Sequence, residues 1–186
     1  MLASLIPPAL DAFDQRVFHA LTAVRNPALD ALFGLVTNLG SSAALAVLVI
    51  ILFWYLRKTG KAPLAWGAIL AYVLAQLLSN ALKLAVGRPR PPLATLAGSE
   101  SSFPSGHATL SAAVLFYIAF VVTSAEPRMK VPAYAAAALA AVAVAFSRVW
   151  LGEHWLSDTV AGFILGSLVA FAAAAVVTRI QRGGKP

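Results

Sequence analysis

No cysteine occurs in the 186 residues, so neither a disulfide nor a thiolate metal site can form. Acidic side chains are also scarce, with seven Asp and Glu against fourteen Lys and Arg, a net charge of +7. Charged residues make up only 11% of the chain, while 60% are hydrophobic. A soluble domain of this length needs a larger polar share to cover its surface. The surplus apolar area therefore has to face lipid. The length suits one membrane domain and leaves no room for a second globular one. A cleavable leader is not expected, because residues 1–30 lack a basic start and carry Asp11, Asp14, Arg16, Arg25 and Asp30.

What is present is a series of long apolar runs. Spanning a bilayer takes about 20 apolar residues. Five stretches qualify: Ser41 to Leu56, with an extension back toward Asn38; Leu64 to Val86; the run after His107 to Thr123; Val131 to Trp150; and Trp155 to Thr178. None alternates as a strand would, and lipid leaves backbone groups no partner outside a helix. The expected fold is all-α, an integral-membrane bundle of five clear transmembrane helices. The N-terminal part differs. Leu10 to Val24 mixes Leu, Phe and Val with Asp11, Asp14, Arg16 and His19, which predicts an amphipathic helix at the interface. Pro27 opens a short helix over Ala28 to Leu39, interrupted at Gly40-Ser41-Ser42, and a sixth span from this region is the alternative. Residues 1–40 thus form an N-terminal interfacial segment and residues 41–186 the transmembrane domain. His19 is assigned interfacial packing and no further role.

The basic residues sit in short turns between apolar runs. That placement points to membrane lipids and an anionic substrate as partners, not to nucleic acid. One side of the bundle carries Arg57, Lys58, Lys61, Arg128, Lys130, Arg179, Arg182 and Lys185, and the positive-inside rule makes it cytoplasmic. The linker Gly87 to Gly106 and the turn Leu151-Gly152-Glu153 then face the extracytoplasmic side. Arg88, Arg90 and Arg148 on that side run against the rule. A bound anion would supply the local reason they need.

Polar residues in membrane helices are costly and are functional suspects. Here they gather at one end of four helices. Lys83 ends the second span and Arg88-Pro89-Arg90-Pro91 follows it. Pro104-Ser105-Gly106-His107 opens the third span, Ser147-Arg148 ends the fourth, and His154 and Asp158 open the fifth. Singly, each has an ordinary reading as a snorkelling lysine, an extended loop, a helix cap or an interfacial anchor. Together they suit phosphoryl chemistry. Lys83, Arg90 and Arg148 offer positive charge, and Arg can grip two oxygens. Ser105, Gly106 and His107 offer backbone N–H groups at a helix start. His154 and Asp158 are four apart, so the carboxylate can fix the imidazole tautomer and leave the other nitrogen to attack phosphorus. His107 can protonate the leaving oxygen and then activate water. One imidazole must start neutral and the other charged, so their surroundings must separate them. The excess of cations argues against a metal site, and no cofactor is expected.

These residues resemble the type-2 phosphatidic acid phosphatase superfamily, the lipid phosphate phosphatases. Its first motif, Lys, six residues, then Arg-Pro, matches Lys83 through Arg90-Pro91. Its second, Pro-Ser-Gly-His, matches Pro104 to His107. Its third, Ser-Arg, five residues, His, three residues, Asp, matches Ser147-Arg148, His154 and Asp158. The resemblance implies His154 as nucleophile, His107 as general acid and Asp158 as the orienting acid. It places phosphate binding on Lys83, Arg90, Ser105, Gly106 and Arg148, with no metal. By size the chain is similar to small bacterial members that act on undecaprenyl pyrophosphate or phosphatidylglycerophosphate. It is then expected in a bacterial inner membrane. A lipid phosphotransferase on the same site and a non-enzymatic lipid-binding membrane protein are the alternative readings.

Overall fold

The computed structural model describes residues 6–95 and 101–183. The centre of the 87–106 linker and Lys185 of the basic tail lie outside the described residues. Among the described residues seven α-helices follow one another: α1 (Pro8–Val24), α2 (Pro27–Leu39), α3 (Ser42–Lys58), α4 (Ala62–Val86), α5 (Gly106–Ala125), α6 (Lys130–Trp150) and α7 (Leu156–Gly183). A 3₁₀ turn, Pro127–Met129, precedes α6. Among the described residues there is no strand.

Four helices, α4 to α7, are long and apolar enough to cross a membrane alone. Helices α2 and α3 pass the same test only as a pair, bent by 43° at their junction, which makes up to five candidate spans among the described residues. Counted as one span, the pair begins at Pro27, ahead of the expected extension toward Asn38. Its upper half is the helix that the sequence set apart. Local chemistry fixes the joint: the Asn26 side chain caps α2, and the Ser41 side chain caps α3 by accepting the Ala44 N–H. Tyr72 of α4 donates its hydroxyl to the Ser42 carbonyl at 3.0 Å, so α3 starts level with the middle of α4.

The central helix is α5. More than half of its apolar stretch is buried inside the protein, against 22% for α4 and α6 and 39% for α7. Lipid tails are as apolar as leucine, so helices here associate through close packing of small residues. Helix α4 buries Ala65, Ala68, Ala71 and Ala75 at three- and four-residue steps. Helix α7 buries Gly162, Gly166, Val169, Ala170, Ala173 and Val177 at similar steps. At Gly166 a Cβ would run into the Thr109 carbonyl oxygen, and at Gly162 it would come within 2.6 Å of the Ser105 oxygen. Only glycine allows α5 and α7 to touch backbone to backbone there. The outward faces keep Ile50, Ile51, Trp54, Leu77, Ile164 and Leu168 exposed, as a lipid-facing surface requires.

The N-terminal helices are fastened to the bundle. Helix α2 lies along α6, where Phe33 packs on Phe146 and Trp150. The indole of Trp150 donates to Asp30, which also holds Arg25. Helix α1 reaches the start of α7, with Phe18 edge-on to Trp155. The polar residues of α1 are not all turned outward. Asp14 is 1% exposed.

Candidate active site

The ends of α4 and α6 and the starts of α5 and α7 meet at one edge of the bundle. They enclose a cavity of about 700 Å³. Lys83, Arg90, Gly106, His107, Arg148 and His154 all line it. Residues 71 positions apart, from Lys83 to His154, thus share one space.

The start of α5 is an anion-type helix terminus. Its N-cap, Ser105, is fully buried, and its side chain makes no capping bond. The Ser105 Oγ has no partner among the described residues. The first N–H groups of the helix have no carbonyl one turn back to bond. The Ser105 N–H donates to the Asp158 carbonyl at 3.0 Å, which ties this terminus to the start of α7. Gly106 has open space beside it. A methyl group added there would have only the Ser79 hydroxyl near it, at 3.8 Å.

The cations are held by backbone and carboxylate partners. Lys83 Nζ donates to the Ser101 carbonyl at 2.7 Å. Arg90 Nη1 donates to the Glu153 carbonyl at 2.9 Å and lies 3.4 Å from His154 Nε2. Arg148 Nη1 donates to Thr37 Oγ1 of α2 at 3.0 Å. Glu153 sits between the two arginines, its Oε2 3.8 Å from Arg90 and 3.6 Å from Arg148. Its other oxygen accepts from the Thr95 N–H and hydroxyl. The Arg148 Nε is buried without a partner among the described residues.

His154 lies in the turn before α7, not on the helix face that the four-residue spacing suggested. The turn forms because Gly152 takes a left-handed φ of 72°, and the Glu153 and His154 N–H groups both point at the Arg148 carbonyl. His154 Nδ1 is 3.6 Å from Asp158 Oδ2, an ion-pair separation longer than a hydrogen bond. That oxygen accepts the Trp155 N–H at 3.0 Å, while Oδ1 accepts Arg88 at 2.7 Å. Burial pushes the His154 imidazole down to about 4. Asp158 opposes the drop, and the Arg90 and Arg148 charges add to it. The ring is thus neutral near pH 7.

Arg88 departs from the sequence expectation. It does not line the cavity and is not held there for an anion. It is 3% exposed and bound by protein carboxylates. Its Nη2 is 2.8 Å from Asp14 and 3.3 Å from Asp11, and its Nη1 is 2.7 Å from both Asp158 and Ser157 Oγ. Burial alone would weaken its hold on the proton, but Asp158 and Asp14 outweigh that and raise its pKa. Trp155 stacks over it at 5.5 Å. Thr37 and Asp14 were likewise invisible as site residues, because their partners are distant in sequence. Glu153, near Arg148 in the chain, gave no sign of its second arginine, Arg90.

A membrane-embedded helical bundle with a cationic pocket, a buried neutral imidazole and a helix start facing it defines the class. Residues 64–182 match the PAP2 superfamily, and the chain belongs to that family, in which relatives of this chain are named phosphatases. It is 32% identical over 189 residues to phosphatidylglycerophosphatase B of Bacillus subtilis, covering 98% of this chain and 92% of that protein. It is 34% identical to a lipid A 1-phosphatase of Rhizobium etli, covering 83% and 74% of the two chains. The crystal structure of a transmembrane PAP2-type phosphatidylglycerolphosphate phosphatase from Bacillus subtilis superposes with a TM-score of 0.82, at 32% identity, over 99% of this chain and 92% of that one.

Proposed function

We propose that this chain removes a terminal phosphate from a lipid through a phosphohistidine, without a metal ion, at the extracytoplasmic face of a bacterial inner membrane. The observation that supports it most is the meeting of His107, His154, Lys83, Arg90 and Arg148 around one cavity. The relatives named for phosphatidylglycerophosphate and lipid A phosphate removal point to a phospholipid-type substrate.

The phosphoryl group enters between Lys83, Arg90 and Arg148, with the α5 N–H groups and the Ser105 hydroxyl taking its remaining oxygens. The Nδ1 of His154 carries its proton toward Asp158, so Nε2 keeps the lone pair. Nε2 attacks phosphorus, and the bond from phosphorus to the lipid oxygen breaks. His107, charged in company with the bound dianion, gives its proton to that leaving oxygen. Water then attacks the phosphohistidine, its proton passes to His107, and the P–N bond breaks to release phosphate and restore His154. The arginines and lysine would repel a dication, which favours this metal-free route. Among the described residues no group of three or more His, Asp or Glu side chains is arranged to hold one.

Phosphate release from lipid phosphates in detergent tests the reading. His154→Ala should lose activity by at least about 10³-fold, and His107→Ala should fall comparably. Vanadate should inhibit and chelators should leave the rate unchanged. Full turnover by His154→Ala rules out the nucleophile.

A further inference from the structure

We propose that Asp14, on the N-terminal helix, is a positioning residue for His154 that acts through Arg88 and Asp158. The idea rests on His154 as nucleophile and extends the machinery to α1. A continuous line of charge runs from Asp14 to the imidazole. Asp14 Oδ2 is 2.8 Å from Arg88 Nη2, Arg88 Nη1 is 2.7 Å from Asp158 Oδ1, and Asp158 Oδ2 is 3.6 Å from His154 Nδ1. Asp14, Arg88 and Asp158 are 1%, 3% and 0% exposed. A second link runs through Ser157, whose N–H donates to Asp14 Oδ1 at 3.0 Å and whose hydroxyl also bonds Asp14. The Asp14 carboxylate therefore fixes the first turn of α7, where Asp158 sits.

The charges explain why a second acid is buried there. An arginine paired with Asp158 alone would neutralise it and turn it from the histidine. Shared between Asp14 and Asp158, the guanidinium leaves Asp158 negative toward the imidazole. Mere fastening of α1 would be served as well by apolar contacts, since buried ion pairs rarely add stability over well-packed side chains.

The test is a set of single and double variants of the full chain in detergent, read as kcat and KM for phosphate release. Asp14→Asn keeps the shape and removes the charge. It should lower kcat about 10- to 100-fold with KM within about threefold. Arg88→Lys should recover part of the activity that Arg88→Ala loses. Arg16→Ala, exposed on the same helix, should keep the full rate. The double variant Asp14→Asn with Asp158→Ala should be no slower than Asp158→Ala alone, because the path ends at Asp158. Equal losses from Asp14→Asn in both backgrounds, or full kcat in Asp14→Asn, would overturn the proposal. His154→Ala in the same assay judges the nucleophile separately.

A different observation carries a second inference, which rests on the lipid-phosphatase reading. The geometry points to a polar subsite on α4 for a lipid whose scissile phosphate is followed by hydroxyl or phosphodiester groups. The cavity extends down α4 along Asn80 and Gln76 to Ser42. Gln76 lies seven residues before Lys83, about 10 Å along the helix toward the membrane centre. The Gln76 Oε1 is buried and without a partner among the described residues. Its Nε2 reaches Asn80 only at 3.4 Å. Amides placed at that depth are costly unless a ligand meets them. An isoprenoid chain begins directly after its phosphate and offers them nothing.

Phosphatidylglycerophosphate, lipid A 1-phosphate and farnesyl monophosphate serve as probes. The pair Gln76→Leu and Asn80→Leu should raise KM about tenfold for at least one of the first two, and the one affected tells glycerol from sugar. KM for farnesyl monophosphate should stay within about twofold. Equal effects on all three, or no effect on either polar lipid, would overturn the subsite. Absence of release from every probe by the unaltered chain would instead sink the lipid-phosphatase reading.

Discussion

The Ser105 N–H donates to the Asp158 carbonyl at 3.0 Å, so the start of α5 and the start of α7 are joined main chain to main chain. Each of these starts carries half of the candidate chemistry, with His107 on one and Asp158 on the other. Their spacing depends on how closely the two helices cross. The crossing depends in turn on glycines one and two turns below.

Gly162→Val should therefore damage both fold and rate. Its Cβ would meet the Ser105 oxygen at 2.6 Å, a backbone atom that cannot swing aside. Overpacking of this kind costs about 1–3 kcal/mol. Thermal unfolding in detergent should show a midpoint lowered by several degrees. The surviving folded fraction should release phosphate at least about tenfold more slowly, since an ångström of misplacement is costly to a preorganised site. Gly34→Ala, where nothing lies within 4 Å of the added methyl, is the control expected to change neither.

The pH profile should carry the mark of a buried neutral imidazole. Held at about 4, chiefly by burial, His154 keeps its lone pair across neutral pH. The acid limb of kcat/KM, which reports the free enzyme, should have its midpoint nearer about 4 than about 6.5. The same shift makes a stability prediction. The unfolded chain binds more protons than the folded one between about 4 and about 6.5, so stability falls as pH drops through that window. His154→Gln should flatten the slope of unfolding midpoint against pH there.

Glu153→Gln should make the site hold phosphate more tightly. Its carboxylate lies 3.6 Å from Arg148 and 3.8 Å from Arg90, where it competes with any anion. The amide can still accept from Thr95. Removing one charge should strengthen product inhibition by inorganic phosphate about tenfold, equivalent to ~1.4 kcal/mol. Turnover should fall at the same time, because the two guanidinium groups lose the group that spaces them. An unchanged inhibition constant counts against that role.

The absence of cysteine makes membrane sidedness directly measurable. Lys61→Cys and Arg128→Cys should each react with an impermeant thiol reagent only after the cells are opened. Leu93→Cys, beside the candidate site and half-exposed, should react in intact cells. The reverse pattern would place the site on the cytoplasmic side.

Much of this arrangement was legible in the chain. Hydropathy gave α4 to α7 within a few residues, because a bilayer demands a continuous apolar run whatever the tertiary fold. The motifs between Lys83 and His154 gave six of the residues that line the cavity, because they sit where spans begin and end. Ser105 and Asp158 do not line it, and Gln76 and Asn80 were not singled out. The rest depends on partners far apart. Asp14 looked like the wet face of an interfacial helix, and only its contact with Arg88, 74 residues away, shows that it is buried. Arg88 looked like a loop cation for the same reason. Gly40-Ser41-Ser42 looked like the interruption after a short N-terminal helix. In space it is a 43° bend between two helices, with α2 packed along α6 and α3 against α4. Gly162 and Gly166 gave no sign of their role until the neighbouring backbone was in place.

The cavity reaches the outer surface of the bundle on the flank of α4, where Asn80 and Leu84 are exposed and Leu84 is 87% so. A molecule confined to the leaflet can thus arrive sideways, with its tails still among neighbouring lipids. Turnover then follows the mole fraction of substrate in the bilayer or micelle, not its amount per litre. Diluting it with inert detergent at constant total concentration should slow the reaction as effectively as withdrawing it.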